Sequence, residues 1–352
     1  MATIVTVASG VGVFAAPASA ATGSTATLKA GTVTITGTAA RDLIGITMDA
    51  TQLVVDFDFD GTVDAQFRRA QYRTVRVLAG EGDDGISASG VGDVPLTING
   101  GGGSDGMGVV GKIGEFGRDD ALSTINGDDG DDTIFVATPG PVTVQAGAGD
   151  DRVTGGGAGI GQEAISLGAG NDRFVSSLND FLGARSDTVD GGTGKDIMEV
   201  EGTFASESVG LSERGGHLTI NRNLSDHIDA DNVEDVTYFG FGGLDESGAG
   251  DAISVDSLAR TDVVSFTPNF SADRNSTAPN NSTDTLIVRG TLGVDHITVS
   301  GSGANISVAG LGTVVNSVFL QSPDALVIDT LGGEDAVDFS GLQSELVQLQ
   351  VR

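Results

Sequence analysis

A glycine-rich turn that ends in Asp, with an apolar residue two places beyond it, recurs along the chain at intervals near twenty residues. It reads Gly80-Glu81-Gly82-Asp83-Asp84-Gly85-Ile86, Gly101 to Met107, Asp128 to Ile134, Gly147 to Val153, Gly168 to Phe174 and Gly191 to Met198. The last Asp of each copy falls at 84, 105, 132, 151, 172 and 196, so the intervals are 21, 27, 19, 21 and 24. Weaker copies with less glycine end at Asp42, Asp226, Asp251, Asp295 and Asp335. All eleven carry the apolar residue, as Ile44, Ile86, Met107, Ile134, Val153, Phe174, Met198, Ile228, Ile253, Ile297 and Val337, which predicts an interior position.

Between phrases the interval holds two short strand-forming runs, clearest in Thr133-Ile134-Phe135-Val136, a turn at Pro139-Gly140-Pro141, and Val142-Thr143-Val144. Alternation puts Ile134 with Val136, and Val142 with Val144, on single faces. No segment has sustained helical periodicity. One repeat then reads as one coil of an all-β parallel solenoid: strand, plain turn, strand, glycine turn. Glycine at 55 of 352 residues and aromatics at 5% agree with many turns and a core of small branched residues.

The same phrase selects a ligand. Glycine permits tight turns and leaves carbonyls unobstructed, while Asp adds a hard anionic oxygen, and this is calcium chemistry. In a parallel solenoid equivalent Asp residues stack ~4.7–4.9 Å apart, and at an effective dielectric of ~20 each adjacent pair repels by roughly 3 kcal/mol. Two ligands on opposite sides of one calcium ion stand ~4.6–5.2 Å apart, so an ion could join adjacent coils. Residues 79–200 carry 6 basic and 21 acidic side chains, a net of −15, and the expectation is that this segment folds on calcium.

These phrases resemble the repeats-in-toxin, or hemolysin-type calcium-binding, nonapeptide Gly-Gly-x-Gly-x-Asp-x-apolar-x. The resemblance covers residues 79–200 well and the flanks loosely. It implies a right-handed parallel β-roll or β-helix binding several calcium ions. By motif position it assigns side-chain ligands to Asp84, Asp105, Asp132, Asp151, Asp172 and Asp196. Carbonyl ligands fall to Gly80, Gly82, Gly101, Gly103, Gly130, Gly147, Gly149, Gly168, Gly170, Gly192 and Gly194. The family's phrases recur every nine residues, whereas a step near twenty predicts one metal column on one side, about one calcium turn per coil. For Asp42, Asp226 and Asp295, which lack paired glycines, a plain turn is the better reading, with Asp251 and Asp335 in between.

The formal net charge is −31. Such a field repels nucleic acid and anionic membranes and attracts cations. Cysteine is absent, so calcium would replace disulfides as the staple of a secreted chain. Residues 2–16 are apolar and Ala18-Ser19-Ala20 has the form of a secretory cleavage site, although no basic residues precede the run; a strand-forming or disordered N-terminus is the alternative. The expected organisation is a signal peptide at 1–20, an N-terminal β repeat or cap at 21–78, the calcium-binding core at 79–200, degenerate β repeats at 201–266, a polar linker or inserted loop at 267–284 and a C-terminal β unit at 285–352. No segment of the mature chain is long and apolar enough to span a membrane.

Ile35 to Ile46 aligns without gaps on Val288 to Val299, and the next phrase follows 42 and 40 residues later, room for a hidden plain coil in each gap. Asp56, Asp58, Asp60, Gly61 and Asp64 match the opening of a helix-flanked calcium loop, but Phe67 stands where a bidentate Glu is required. A hairpin is the expectation, pairing Phe59 with Val63, Phe57 with Ala65 and Val55 with Phe67. Gly102 to Gly106 fits a nucleophile-elbow pattern without its strand-to-helix context. His217, His227 and His296 have no metalloprotease spacing, and Arg68, Arg69, Arg73 and Arg76 read as balancing nearby carboxylates. The functional expectation is a secreted or cell-surface, non-catalytic structural or adhesive module that folds on calcium and meets a cell-surface or matrix partner. The rivals are a β-helix polysaccharide lyase or epimerase using calcium, and a calcium-independent adhesin or passenger.

Overall fold

The computed structural model describes residues 23–111, 121–138, 140–155, 162–177, 186–223, 226–241, 249–280, 282–343 and 347–352. The signal peptide expected at 1–20 lies outside them. Strands dominate, and the described residues include no α-helix, only a short 3-10 turn at Arg69–Gln71. The strands form two sheets of fifteen. Along the central part of the chain they alternate between sheets: Ser123–Asp129, Val142–Ala148 and Glu163–Gly170 are parallel neighbours in the first, and Thr133–Ala137, Arg152–Gly155 and Arg173–Ser177 in the second. This is the alternation expected of an all-β solenoid.

Register explains the core. Ile125, Val144, Ile165 and Val189 are successive partners in the first sheet, and Met107, Ile134, Val153, Phe174 and Met198 in the second. All are buried, so like residues stack on like along each column. Ten of the eleven residues two places after an Asp are buried; Val337 is partly so. Period-2 alternation turns the intervening residues to the outer face, which is mostly polar in the first sheet and carries Phe135, Val175 and Ile197 among polar neighbours in the second.

The long gaps do not contain plain coils. Antiparallel strands fill them instead: Leu43–Met48, Gln52–Phe57 and Ala65–Arg68 near one end, and His296–Ser302, Asn305–Leu311 and Thr313–Ser317 near the other. A third meander, Ser208–Arg214, His217–Arg222 and Asp226–Asp231, lies in the first sheet. Its tight turn at Gly215 and Gly216, with φ of +69° and +99°, is one that two adjacent glycines accommodate without strain.

The expected hairpin at Asp56–Asp64 forms, but two residues out of register: Val55 pairs with Ala65 and Leu53 with Phe67. The Asp64 N–H donates to the Val55 carbonyl and its Oδ2 accepts the Phe57 N–H, so the strands part early and leave a broad loop. Strands enter both ends of the segment expected as linker at 267–284: Ser265–Asn269 continues the second sheet and Thr283–Arg289 the first, each paired with its neighbours.

Candidate functional site

The six principal Asp residues come together as one buried column at the corner where the chain passes from the first sheet to the second. Each is 3% exposed or less. The Asp84 N–H donates to Asp105 Oδ1 (2.8 Å), Asp105 to Asp132 (2.8 Å), Asp132 to Asp151 (2.8 Å), Asp151 to Asp172 (2.7 Å) and Asp172 to Asp196 (2.8 Å). Asp42 begins the column by donating to Asp84, and Glu234 ends it by accepting from Asp196. A main-chain dipole therefore stands between each pair of carboxylates. It offsets part of the repulsion that bare stacking would bring.

A second ladder lies outside the first and runs the other way. The Ser104 N–H donates to Asp83 Oδ1, Asp150 to Asp131, Asn171 to Asp150, and Lys195 to the Asn171 side-chain oxygen. Here the later coil donates and the earlier one accepts. The doubled acid of the phrase is thus two residues with opposite duties, one buried and one at the surface.

Glycine makes the corner possible. All eleven glycines named as carbonyl ligands have φ between +96° and +153°. A methyl group on Gly101 would lie 1.7 Å from the Gly80 carbonyl oxygen, so successive turns stack backbone against backbone. In the coil that lacks this first glycine, Asp128 takes the same left-handed conformation, with φ of +78°.

The second oxygen of each carboxylate divides the turns into two chemical types. In Asp84, Asp105, Asp132, Asp151, Asp172 and Asp196, Oδ2 is buried and has no hydrogen-bond partner. In the turn Gly37 to Asp42, of the same length, Oδ2 accepts the Thr38 N–H (2.7 Å) and the Thr38 hydroxyl (2.9 Å). Asp295 divides the same pair between its oxygens, Oδ2 accepting the Thr291 N–H (2.6 Å) and Oδ1 the Thr291 hydroxyl (3.0 Å). Gly202 to Glu207 is a third Gly-Thr-x-x-x-acid turn, with Glu207 taking the Thr203 N–H and hydroxyl. The plain-turn reading of Asp42 and Asp295 matches this saturated geometry.

Burial pushes the orphaned carboxyls upward, with their amide bonds pulling the other way. Asp84, Asp132 and Asp151 rise to about 7, Asp105 and Asp196 to about 6, and Asp172 also rises.

Sequence spacing missed a further ladder on the opposite corner, where the chain enters the first sheet. The Glu207 N–H donates to Asp251 Oδ1 (2.9 Å), Asp251 to Asp284 (2.7 Å) and Asp284 to Asp324 (2.9 Å), and Glu163 likewise donates to Asp187 (2.9 Å). Asp251, grouped by spacing with the glycine phrases, belongs to this ladder, because the antiparallel meander between Ser208 and Asp231 changes the count. Its Oδ2 is also buried without a partner, and burial raises Asp251 to about 8 and Asp284 to about 6, the latter against the pull of the Asp251 amide and the Asn280 and Ser282 side chains.

Glu207 anchors a buried group in which Arg222 Nη1 lies 2.9 Å from Oε1 and the Tyr238 hydroxyl donates to Oε2. Arg69 pairs with Asp93, His217 with Asp229, and His227 Nδ1 contacts the Asn221 side-chain oxygen, so these residues sit outside the column. Among the described residues, no three His, Cys, Asp or Glu side chains converge as a metal-binding group. No helix among them is long and apolar enough to cross a membrane.

No protein-family model matches the chain, and no curated protein matches its sequence. Fold and site together define a nearly all-β protein of two long, parallel-rich sheets whose corners are joined by buried carboxylate-to-amide ladders.

Proposed function

We propose that this chain is a non-catalytic, secreted or cell-surface scaffold, a right-handed parallel β-solenoid whose glycine turns bind calcium, about one turn per coil, and whose outer surface serves a structural or adhesive role. The observation that carries the reading is the run of six buried Oδ2 atoms without partners in the glycine turns, absent from the Gly-Thr turns of equal length. A buried carboxylate oxygen without a partner costs free energy that a hard cation offsets. The donor set fits such an ion: anionic Asp oxygens from adjacent coils and main-chain carbonyls of Gly80, Gly82 and their equivalents, with no nitrogen or sulfur. Because three acidic side chains do not converge, carbonyls would have to supply much of the coordination.

Calcium bound there would supply charge neutralisation between coils. The chain's own residues do the rest. Asp Oδ1 locks each coil to the amide of the coil before it, and the glycines let the turns stack. The field of −31 suits export of a loosely folded chain into a calcium-rich exterior.

A second reading rests on the raised carboxyls: the column holds protons rather than metal, and the chain is a calcium-independent adhesin. Thermal unfolding followed by circular dichroism, in millimolar calcium and in excess EDTA, separates the two. The calcium reading expects a higher melting temperature and more strand signal in calcium, with Asp132→Ala and Asp151→Ala each reducing the gain. Identical curves in calcium and EDTA would refute it in favour of the second reading.

A further inference from the structure

The acidic hairpin at Asp56–Asp64 forms no part of the ladders, and beside it lies a cavity of about 260 Å³ on the outer face of the second sheet. Its floor follows from register. Gly45 pairs with Asp56 on one side and Ser87 on the other, and Thr47 pairs with Val54 and Ser89. Two strand spacings separate Asp56 from Ser87, roughly 10 Å. Gly45 leaves no side chain between them, and the Phe59 ring lies over that gap, where a methyl group on Gly45 would meet two ring carbons at 3.2 Å. Phe59 is nonetheless 44% exposed, which is unusual for a ring in a chain with so few aromatics. The cavity is thus bounded by an aromatic ring, the hydroxyls of Thr47, Ser87, Ser89 and Thr62, and the Asp56 carboxylate.

We propose that this cavity binds one neutral sugar ring, with Phe59 stacking on its C–H face and the hydroxyl rows and Asp56 meeting its hydroxyls. The volume lies just under the ~300 Å³ at which pockets for larger ligands begin, which suits a single ring. Asp56 Oδ2 accepts the Gly61 N–H at 3.0 Å, and its Oδ1 is buried with no partner.

A cation fits less well despite the four acids. Asp60 Oδ1 accepts the Thr62 N–H and Asp64 Oδ2 the Phe57 N–H, and the wall facing Asp56 is hydroxyl and aromatic rather than anionic. The acids hold the loop in shape. Ser87 lies only three residues beyond Asp84, but none of the six glycine-turn carboxylates lines this cavity, and the proposal does not draw on the calcium reading.

Saturation-transfer NMR on the full chain, folded in millimolar calcium, tests the proposal with glucose, galactose, mannose and N-acetylglucosamine titrated singly. At least one should bind saturably with a dissociation constant of about 1–10 mM, a range typical of weak single-ring contacts. Ser87→Leu, which fills the floor from an outward-facing strand position, and Phe59→Ala should each weaken binding about tenfold with unchanged circular dichroism. The proposal is overturned if no sugar saturates on folded protein, or if Ser87→Leu binds as wild type does.

Discussion

Replacing Asp251 by Asn should change how stability depends on pH more than it changes stability itself. Asp251 Oδ1 accepts the Glu207 N–H, its own N–H donates to Asp284, and Oδ2 has no partner. Burial is the largest influence on this carboxyl and lifts it from 3.8 to about 8, with the Glu207 amide pulling down and the Asp284 and Glu207 charges adding to the rise. Between these values the folded chain keeps a proton that the unfolded chain has lost. Stability is therefore highest in acid, falls as pH rises from about 4 to about 8, and levels off above. The full interval corresponds to roughly 6 kcal/mol, and relaxation of the corner should reduce it to about 3 kcal/mol.

The Asp251→Asn side chain would keep an oxygen for the Glu207 amide and has nothing to ionise. Its amide N–H groups gain no evident acceptor, a cost of about 1–3 kcal/mol that does not vary with pH. The discriminating quantity is thus the change in the wild-type-to-variant difference between pH 5 and pH 9. Urea titrations followed by circular dichroism at one fixed calcium concentration measure it, since both proteins share every other titration. The difference should move by about 2–3 kcal/mol in favour of the variant at pH 9. Parallel pH profiles would show that Asp251 does not carry the burial penalty assigned to it, and the account of the orphaned oxygens would fail with it.

Two further outcomes follow from the corners. A methyl group at Gly240 would lie 2.2 Å from Asp251 Oδ2 and meet nothing else closer than 3.4 Å, so Gly240→Ala should cost about 1–3 kcal/mol and couple measurably to Asp251→Ala in a double-mutant cycle. Gly101→Ala meets the Gly80 carbonyl at 1.7 Å with a left-handed φ, so it should cost more and show no rescue by trimming Asp105. In the buried group around Glu207, Arg222→Met should lower stability by about 3–5 kcal/mol in chemical denaturation, because the carboxylate loses the guanidinium 2.9 Å away. A loss below about 1 kcal/mol would mean that Tyr238 and Thr203 alone satisfy it.

The glycine column was legible in the sequence because two independent constraints coincide there. Glycine is required where turns stack at van der Waals distance, and the residue two places after each Asp must enter the core, so Gly147, Asp151 and Val153 announce one another. The opposite corner carries no such signature. Asp284 and Asp324 accept amides without flanking glycine pairs, and Glu163 and Glu207 reach their places with a longer side chain than the repeat predicts. The antiparallel meanders were illegible for a related reason: Leu43–Met48 and Gln52–Phe57 alternate just as coil strands do, and alternation does not report strand direction. The Gly-Thr-x-x-x-acid turns at Gly37, Gly202 and Gly290 were readable as a second motif, and their spacing marks where each meander begins.

That second motif gives the glycine turns their meaning. From Gly37 to Asp42 and from Ala79 to Asp84 the chain spends the same number of residues turning the same kind of corner, but the Asp84 carboxylate holds the neighbouring coil through the Asp42 N–H, whereas the Asp42 carboxylate closes its own turn on Thr38 and takes the Ser24 hydroxyl. The Thr turn meets its own carboxylate with an amide and a hydroxyl, both on Oδ2 in Asp42 and one on each oxygen in Asp295 and Glu207. The glycine turn puts no hydroxyl there, and its left-handed residues leave Oδ2 without a partner. A chain selected only for a stable corner had the saturated version available and used it three times. Six adjacent coils use the other version, in a segment that carries −15 of the net −31, and accept six buried oxygens that each cost free energy unless something positive reaches them. A proton would neutralise one oxygen at a time and would not join coils. A divalent cation held between coils would neutralise and join them together, and this is the physical argument behind the proposal of calcium, rather than protonation, at the glycine turns.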